Sequence, residues 1–345
     1  MKTSFPLLII AILFALPASA GERSPSGATE VLNGRTYWRF FVTRRPPMVT
    51  AEALKLAGKS GEPKAPPKLT NRYSSDPPQA AWTGADFDDH GWPRSRVKWI
   101  GPQVSSRAHT FRISMRGKFH VESPGSVKGL TLKFGYRGGA VVYLNGEEVA
   151  RKDLPEGALT DETAARLYPN EAWVDSSGKA HSHRKAAPAI RDRSLGPLKL
   201  DASLLRKGTN VLAVEIRRSD FHPVAMKWRD HGHPPTYDRW TPVGVKDIVL
   251  SAAGGGITPN AGRPAGVQVW VRDRNDYMTP DDYGDPTEAL YPVRLVGARN
   301  GSYCGQIGVG SDAALKGVKV EPSALKGPGG EIPAANVTVL YGLIG

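Results

Sequence analysis

Asp220, His222, Asp230, His231 and His233 crowd one short segment, with Trp228 and Trp240 beside them. A His-x-His pair puts two imidazoles on one face of a strand, and zinc accepts such a pair with a carboxylate. Pro223, Pro234 and Pro235 mark the segment as loop instead. In a loop, indoles can stack on pyranose faces and imidazoles can bond sugar hydroxyls. Trp228, His231, His233 and Trp240 are therefore the candidate carbohydrate contacts, and a structural loop between domains is the plainer alternative. Asp88-Asp89 is a second acidic pair. It suits turn chemistry, in which a carboxylate accepts backbone N–H groups. Structural calcium is the other use, although a hard cation needs six or more oxygens and two neighbours are a thin start. Asp281-Asp282-Tyr283-Gly284-Asp285 offers carboxylates too. Adjacent residues of extended chain point apart, so these cannot flank one bond as an acid/base pair must. Cys304, beside Gly305 in a strand-like run, reads as a buried small hydrophobe. The sequence has no G-x-S-x-G, H-E-x-x-H, G-x-G-x-x-G or Walker pattern. The residues alone thus name no catalytic group and imply no cofactor.

The elements that must position these groups are mostly strands. Leu130, Leu132 and Phe134 alternate with Thr131 and Lys133, the period of a half-buried strand. Ala140 to Leu144 and Glu147 to Ala150 flank Asn145-Gly146, the strongest short hairpin signal. Leu212, Val214 and Ile216 alternate again, and Thr36 to Val42 is aromatic and β-branched. Arg44 to Ala80 is rich in Pro and reads as a segment that wraps or links. Thr50 to Ala57 and Thr160 to Leu167 are the two short helical stretches, and Asn170 to Arg193 is a polar loop. A second β unit is expected from near Val245. Val267, Val269 and Val271 suggest one of its strands, Val318 and Val320 another, and Val337, Val339 and Tyr341 a third.

Composition agrees with this pattern. The 345 residues include 38 Gly and 29 Pro, an excess of turn formers that excludes a helical bundle. A single cysteine excludes an internal disulfide and a cysteine metal site. Met1-Lys2, the apolar run Phe5 to Leu16 and Ala18-Ser19-Ala20 read as a signal peptide cleaved near Ala20. A secreted or periplasmic location follows, and no later stretch is apolar enough to span a bilayer. The formal charge is +13, and all of it falls on residues 21–243, with 36 basic and 23 acidic side chains. From Gly244 onward there are nine basic and ten acidic ones. Clusters at Arg44-Arg45, at Arg94, Arg96 and Lys98, at Arg112, Arg116 and Lys118, and at Arg217-Arg218 are expected to supply a surface field. Such a field favours anionic polysaccharide, and export weighs against nucleic acid.

Three stretches carry a resemblance. Trp82-x4-Phe87-Asp88-Asp89-His90-Gly91-Trp92-Pro93, the run Gly138 to Arg151 and the run Leu204 to Glu215 resemble the galactose-binding-like jelly roll found at the front of family 2 glycoside hydrolases. Val267 to Asp273, Ala298 to Gly301, Gly305 to Asp312, Lys316 to Val320 and Leu325 to Gly330 resemble the non-catalytic N-terminal β domain of glycoside hydrolase family 123. In that family a barrel follows and carries an Asp-Glu pair. A (β/α)8 barrel takes about 250 residues, the chain here stops at Gly345, and no catalytic residue carries over. The expectation is an all-β protein of two β-sandwich domains, a jelly roll at 81–243 and an immunoglobulin-like or similar sandwich at 244–345. Before them come the signal peptide at 1–20 and a strand with a wrapping segment at 21–80. The resemblance implies a non-catalytic, carbohydrate-associated protein, the front part of a longer glycoside hydrolase. Its rivals are a glycosidase built on His222, Asp230, His231 and His233, and a cell-surface protein-interaction module.

Overall fold

The computed structural model describes residues 27–64, 74–100, 109–181, 189–227, 242–272, 278–293, 295, 298, 301–327 and 330–342. The chain divides into two compact units, the first ending at Ala261 and the second starting at Gly262. The first contains strands β1 (Thr29–Leu32), β2 (Tyr37–Arg44), β3 (Arg94–Arg96), β4 (Thr110–Val121), β5 (Val127–Arg137) and β6 (Gly139–Leu144). It continues with β7 (Glu147–Lys152), β8 (Arg193–Lys199), β9 (Gly208–Arg217), β10 (Gly244–Gly254) and β11 (Ile257–Thr258). Two short helices, α1 (Ala51–Leu56) and α2 (Val97–Ile100), interrupt them.

One sheet has the order β1-β10-β5-β8, and the other β3-β2-β4-β9-β6-β7 with β11 on β4. Every pairing is antiparallel. The sheets face each other across one apolar cluster, a β-sandwich. Leu130, Leu132, Phe134, Ile248 and Leu250 come from the smaller sheet, and Trp38, Phe40, Ile113, Met115, Val214 and Ile216 from the larger. Gly117 leaves room for the Trp38 indole, since a Cβ there would sit 2.7 Å from its Cζ3. The hairpin of β6 and β7 turns at Asn145-Gly146, where φ is 54° and 99°. Both values lie in the left-handed region that a type I′ turn requires. Strand β5 alternates buried and solvated positions. Strand β4 is buried on nearly every position, because both faces of the larger sheet are covered.

Three expectations change. Strand β10 does not open a second domain. It lies between β1 and β5, pairing from Gly244 to Gly254, so the boundary moves from 243/244 to 261/262. Lys246 and Asp247 cancel, which is why the charge balance could not see the difference. Thr160 to Leu167 forms no helix; Thr163 and Thr160 hydrogen-bond locally, and Ala165 bridges Ser219. Val318, Val320 and Val337 to Tyr341 lie in no strand.

The second unit has two hairpins, β12 (Val267–Arg272) with β13 (Gln306–Ser311), and β14 (Leu325–Gly327) with β15 (Gly330–Ile332). On β12 the buried face carries Gln268 and Trp270, while Val267 and Val269 are exposed. The Trp270 indole lies over Gly308, where a Cβ would come within 2.3 Å of its Cε2. The class is all-β and antiparallel, as the alternation implied. No helix among the described residues is long and apolar enough to cross a membrane.

Candidate ligand-binding surface

The side chains that carry charge line the face of the larger sheet turned away from the sandwich core. Strand register brings Thr43, Arg112, Arg217 and Gly139 into one row, Phe41, Ser114, Glu215 and Val141 into the next, and Arg39, Arg116, Ala213 and Tyr143 into a third. Irregular chain covers this face, and irregular chain leaves backbone carbonyls without sheet partners. Guanidinium groups, with five donors each, meet them. Arg116 donates to Trp82 O, Gly84 O (2.9 Å) and Phe87 O (3.4 Å), and pairs with Asp89 at 2.6 Å. Arg217 donates to Thr160 O and Thr163 O and pairs with Glu215. Arg39 reaches Trp92 O at 2.9 Å. Arg218 reaches Arg45 O and Pro46 O between the Phe111 and Phe221 rings. Burial lowers its pKa to about 10, which leaves it charged at neutral pH.

Among the described residues of the first unit eight cations are buried, namely Arg39, Arg112, Arg116, Lys118, Arg137, Arg191, Arg217 and Arg218. Buried carboxylates there, among the described residues, are Asp89 and Glu215. The expected surface clusters at Arg112, Arg116 and Lys118 and at Arg217-Arg218 are therefore interior. Roughly half of the charge excess holds the fold together and does not reach solvent.

The two aspartates of the predicted pair separate in role. Asp88 is exposed, accepts the His90 backbone N–H at 3.1 Å and meets the His90 ring at 2.5 Å. Asp89 is 1% exposed and bridges Arg116 and Lys118, each at 2.6 Å. Two fixed cations on one carboxylate oppose a calcium ion at that position. No group of three or more His, Cys, Asp or Glu among the described residues is arranged to hold a metal. Glu215 is likewise engaged on both oxygens, by Arg112 at 3.3 Å and Arg217 at 2.5 Å. Ser114 Oγ beside it is buried with no hydrogen-bond partner among the described residues. Tyr143 stays a neutral phenol, its pKa raised to about 12 by burial and by the Glu215 and Glu148 charges. Phe87 and Trp92 pack with Trp82 and Tyr143 in a small apolar cluster over the sheet.

Trp228, His231, His233 and Trp240 lie outside the described residues, as does Asp230. His222 is described. It is buried and stacks on Trp173 at 6.0 Å between ring centroids. Its Nδ1 accepts the Val224 N–H at 3.0 Å, and its Nε2 lies 2.7 Å from Asn170 Oδ1. The accepting Nδ1 makes Nε2 the donor, so the ring is neutral. Burial lowers its pKa to about 4. In the second unit Asp282 pairs with Arg272 at 2.7 Å and accepts the Thr279 N–H, a turn held by an ion pair. Cys304 is exposed and precedes β13 instead of lying within a strand.

A groove of about 510 Å3 is lined by Arg45, Pro46, Ser74, Ser75, Asp76 and Glu162. Its cation is already engaged, since Arg45 binds Glu162 at 2.7 Å and Ser75 O at 2.6 Å. More open to solvent are Lys98 and Trp99 of α2, with Trp99 48% exposed.

No protein-family model matches the sequence, and no curated protein matches it. Among solved structures it is similar to a Bifidobacterium dentium β-glucuronidase complexed with coumarin-3-O-glucuronide, at 14% identity and TM-score 0.33, over 74% of this chain and 33% of that one. A calcium-binding mutant of Bacteroides uniformis β-glucuronidase 2 gives 14%, 0.30, 69% and 20%. A β-glucuronidase of an uncultured Clostridium sp. gives 13%, 0.25, 94% and 45%. The chain spans less than half the length of each of the three. At these scores the likeness adds nothing to a fold read from the sheets themselves.

Proposed function

We propose that this is an exported, non-catalytic protein that associates with carbohydrate and retains anionic polysaccharide through its first unit. The observation that supports the reading is electrostatic. The first unit, 21–261, keeps the whole excess of thirteen positive charges. Eight buried cations and two buried carboxylates hold six of those charges, and most of the rest falls on residues outside the described ones, among them Arg72, Arg107, Arg184 and Lys185. Such an excess concentrates uronic or sulfated glycans at low ionic strength. The two buried carboxylates among the described residues of this unit, Asp89 and Glu215, are each committed to two cations. The reading includes cleavage near Ala20. It also includes the second unit as a non-catalytic β domain like that at the front of family 123 glycoside hydrolases, beside a family 2-type jelly roll. Indoles of the Trp228–Trp240 segment are proposed as further sugar contacts.

Affinity electrophoresis of the mature chain in gels carrying neutral, uronic or sulfated glycans tests this. Retardation in the charged gels alone, released as salt rises, is the expected result. Equal mobility in every gel, or release of p-nitrophenol from β-glycosides at enzymatic rates, overturns it.

A further inference from the structure

The run Gly91 to Val121 contains seven Lys and Arg and no Asp or Glu. Three of them, Arg94, Arg96 and Lys98, lie on the edge strand β3 and helix α2 at one edge of the larger sheet, while Arg112, Arg116 and Lys118 lie in strand β4. Strand β3 pairs with β2 alone, matching Arg94 to Arg39 and Arg96 to Tyr37. Two residues apart on one strand, Arg94 and Arg96 share a face. Both guanidinium groups lie over the Tyr37 ring, at 4.2 and 4.9 Å from its centroid. The ring is 5% exposed and fixes them against the sheet. Arg94 Nε and Nη2 are shielded from solvent, and neither has a hydrogen-bond partner among the described residues. A shielded cation without a carboxylate is costly and gains from an anion brought to it. The next turn of chain presents exposed Lys98 beside Trp99, 5.5 Å from the indole centroid to the ammonium.

We infer that this sheet edge is an acidic-sugar site. Arg94 and Lys98 supply the field for a carboxylate or sulfate, and the Trp99 indole supplies a flat face for the pyranose ring that bears it. A cation and an indole together select a charged sugar over a neutral one, since stacking alone is indifferent to charge. The site deepens the polysaccharide reading by naming where the polymer is held, and it rests on that reading for the polymer but not for the anion.

The test uses the mature full chain and three variants, Lys98→Glu, Trp99→Ala and Arg94→Gln. The first two change exposed side chains, and unchanged circular dichroism confirms their fold. The probes are inorganic sulfate, an oligogalacturonate and its sulfated neutral counterpart, followed by the Trp99 indole resonance and by retardation in gels. Expected are a sulfate-dependent shift of the Trp99 indole and a weakening of oligosaccharide binding by about fivefold to tenfold in Lys98→Glu and in Trp99→Ala. Polymer retained equally by wild type and both variants overturns this site and leaves the polysaccharide reading intact. A sulfate-shifted indole with no polymer retention leaves the anion site and removes the polymer. A single-stranded oligonucleotide bound as tightly as the oligogalacturonate, through the same residues, overturns the sugar assignment.

Discussion

Arg116 shows how one side chain organises its surroundings. It is fully buried, and it meets Asp89 and three carbonyls of the segment that covers the sheet. Replacing it by Ala leaves Asp89 with Lys118 alone and orphans those carbonyls. A loss of roughly 3–5 kcal/mol in urea unfolding is expected. Arg116→Lys should fall between, because an ammonium keeps the charge but not the planar fork. His222 carries a different signature. The unfolded chain protonates it below about pH 6.5, the folded chain only near pH 4. The unfolded state therefore binds more protons in that window, and stability present above it is lost as pH falls through it. Asp220, whose pKa is raised by burial, acts in the opposite direction. The measurement is thus the difference between wild type and His222→Gln from pH 7 to 4. Wild type should lose roughly 2–3 kcal/mol relative to the variant. Parallel profiles would show that the imidazole titrates normally.

Elements whose information is local were legible in the sequence. Asn145-Gly146 dictates its own turn, Thr50 caps α1 as its side chain accepts the Ala53 N–H, and the alternation of β5 marks its buried face, as that of β9 marks Leu212, Val214 and Ile216 as the residues facing the sandwich core. Strand β10 was readable as a strand but not as a partner. Its neighbours β1 and β5 lie far away in sequence, and nothing in its own residues names them. The charged rows failed for the same reason, since Arg112, Arg116 and Arg217 look like surface residues until the covering segments are placed. The candidate site was half visible. Arg94, Arg96 and Lys98 stood out as a cluster, whereas Trp99, which α2 turns outward, carried no mark in the sequence pattern; the absence of acids from Gly91 to Val121 was the available signal. A truncation tests the placement of β10. A chain of residues 21–261 should give a near-ultraviolet circular dichroism spectrum with fixed aromatic bands. A chain of residues 21–243 should not, because β1 and β5 lose the strand between them and Ile248 and Leu250 leave the core. A folded 21–243 would contradict the sheet order.

The first unit is a sandwich whose larger sheet is roofed by irregular chain and fastened by permanent cations instead of disulfides or a second set of strands. Because the fasteners are arginines, isoelectric point and surface potential become separate properties, and a count of basic residues exaggerates the second. One consequence concerns solvents. Guanidinium chloride supplies, at molar concentration, the same chemical group that pins the roof. It competes for the same carbonyls and rings, and its salt screens the ion pairs. Urea does neither with charge. For ordinary domains guanidinium is about twice as effective as urea. Here the ratio of the two midpoints should exceed two, and tryptophan fluorescence, to which Trp82 and Trp92 of the roof contribute, should change before the far-ultraviolet strand signal in guanidinium alone. A fold fastened by its own denaturant's functional group comes apart from the outside in.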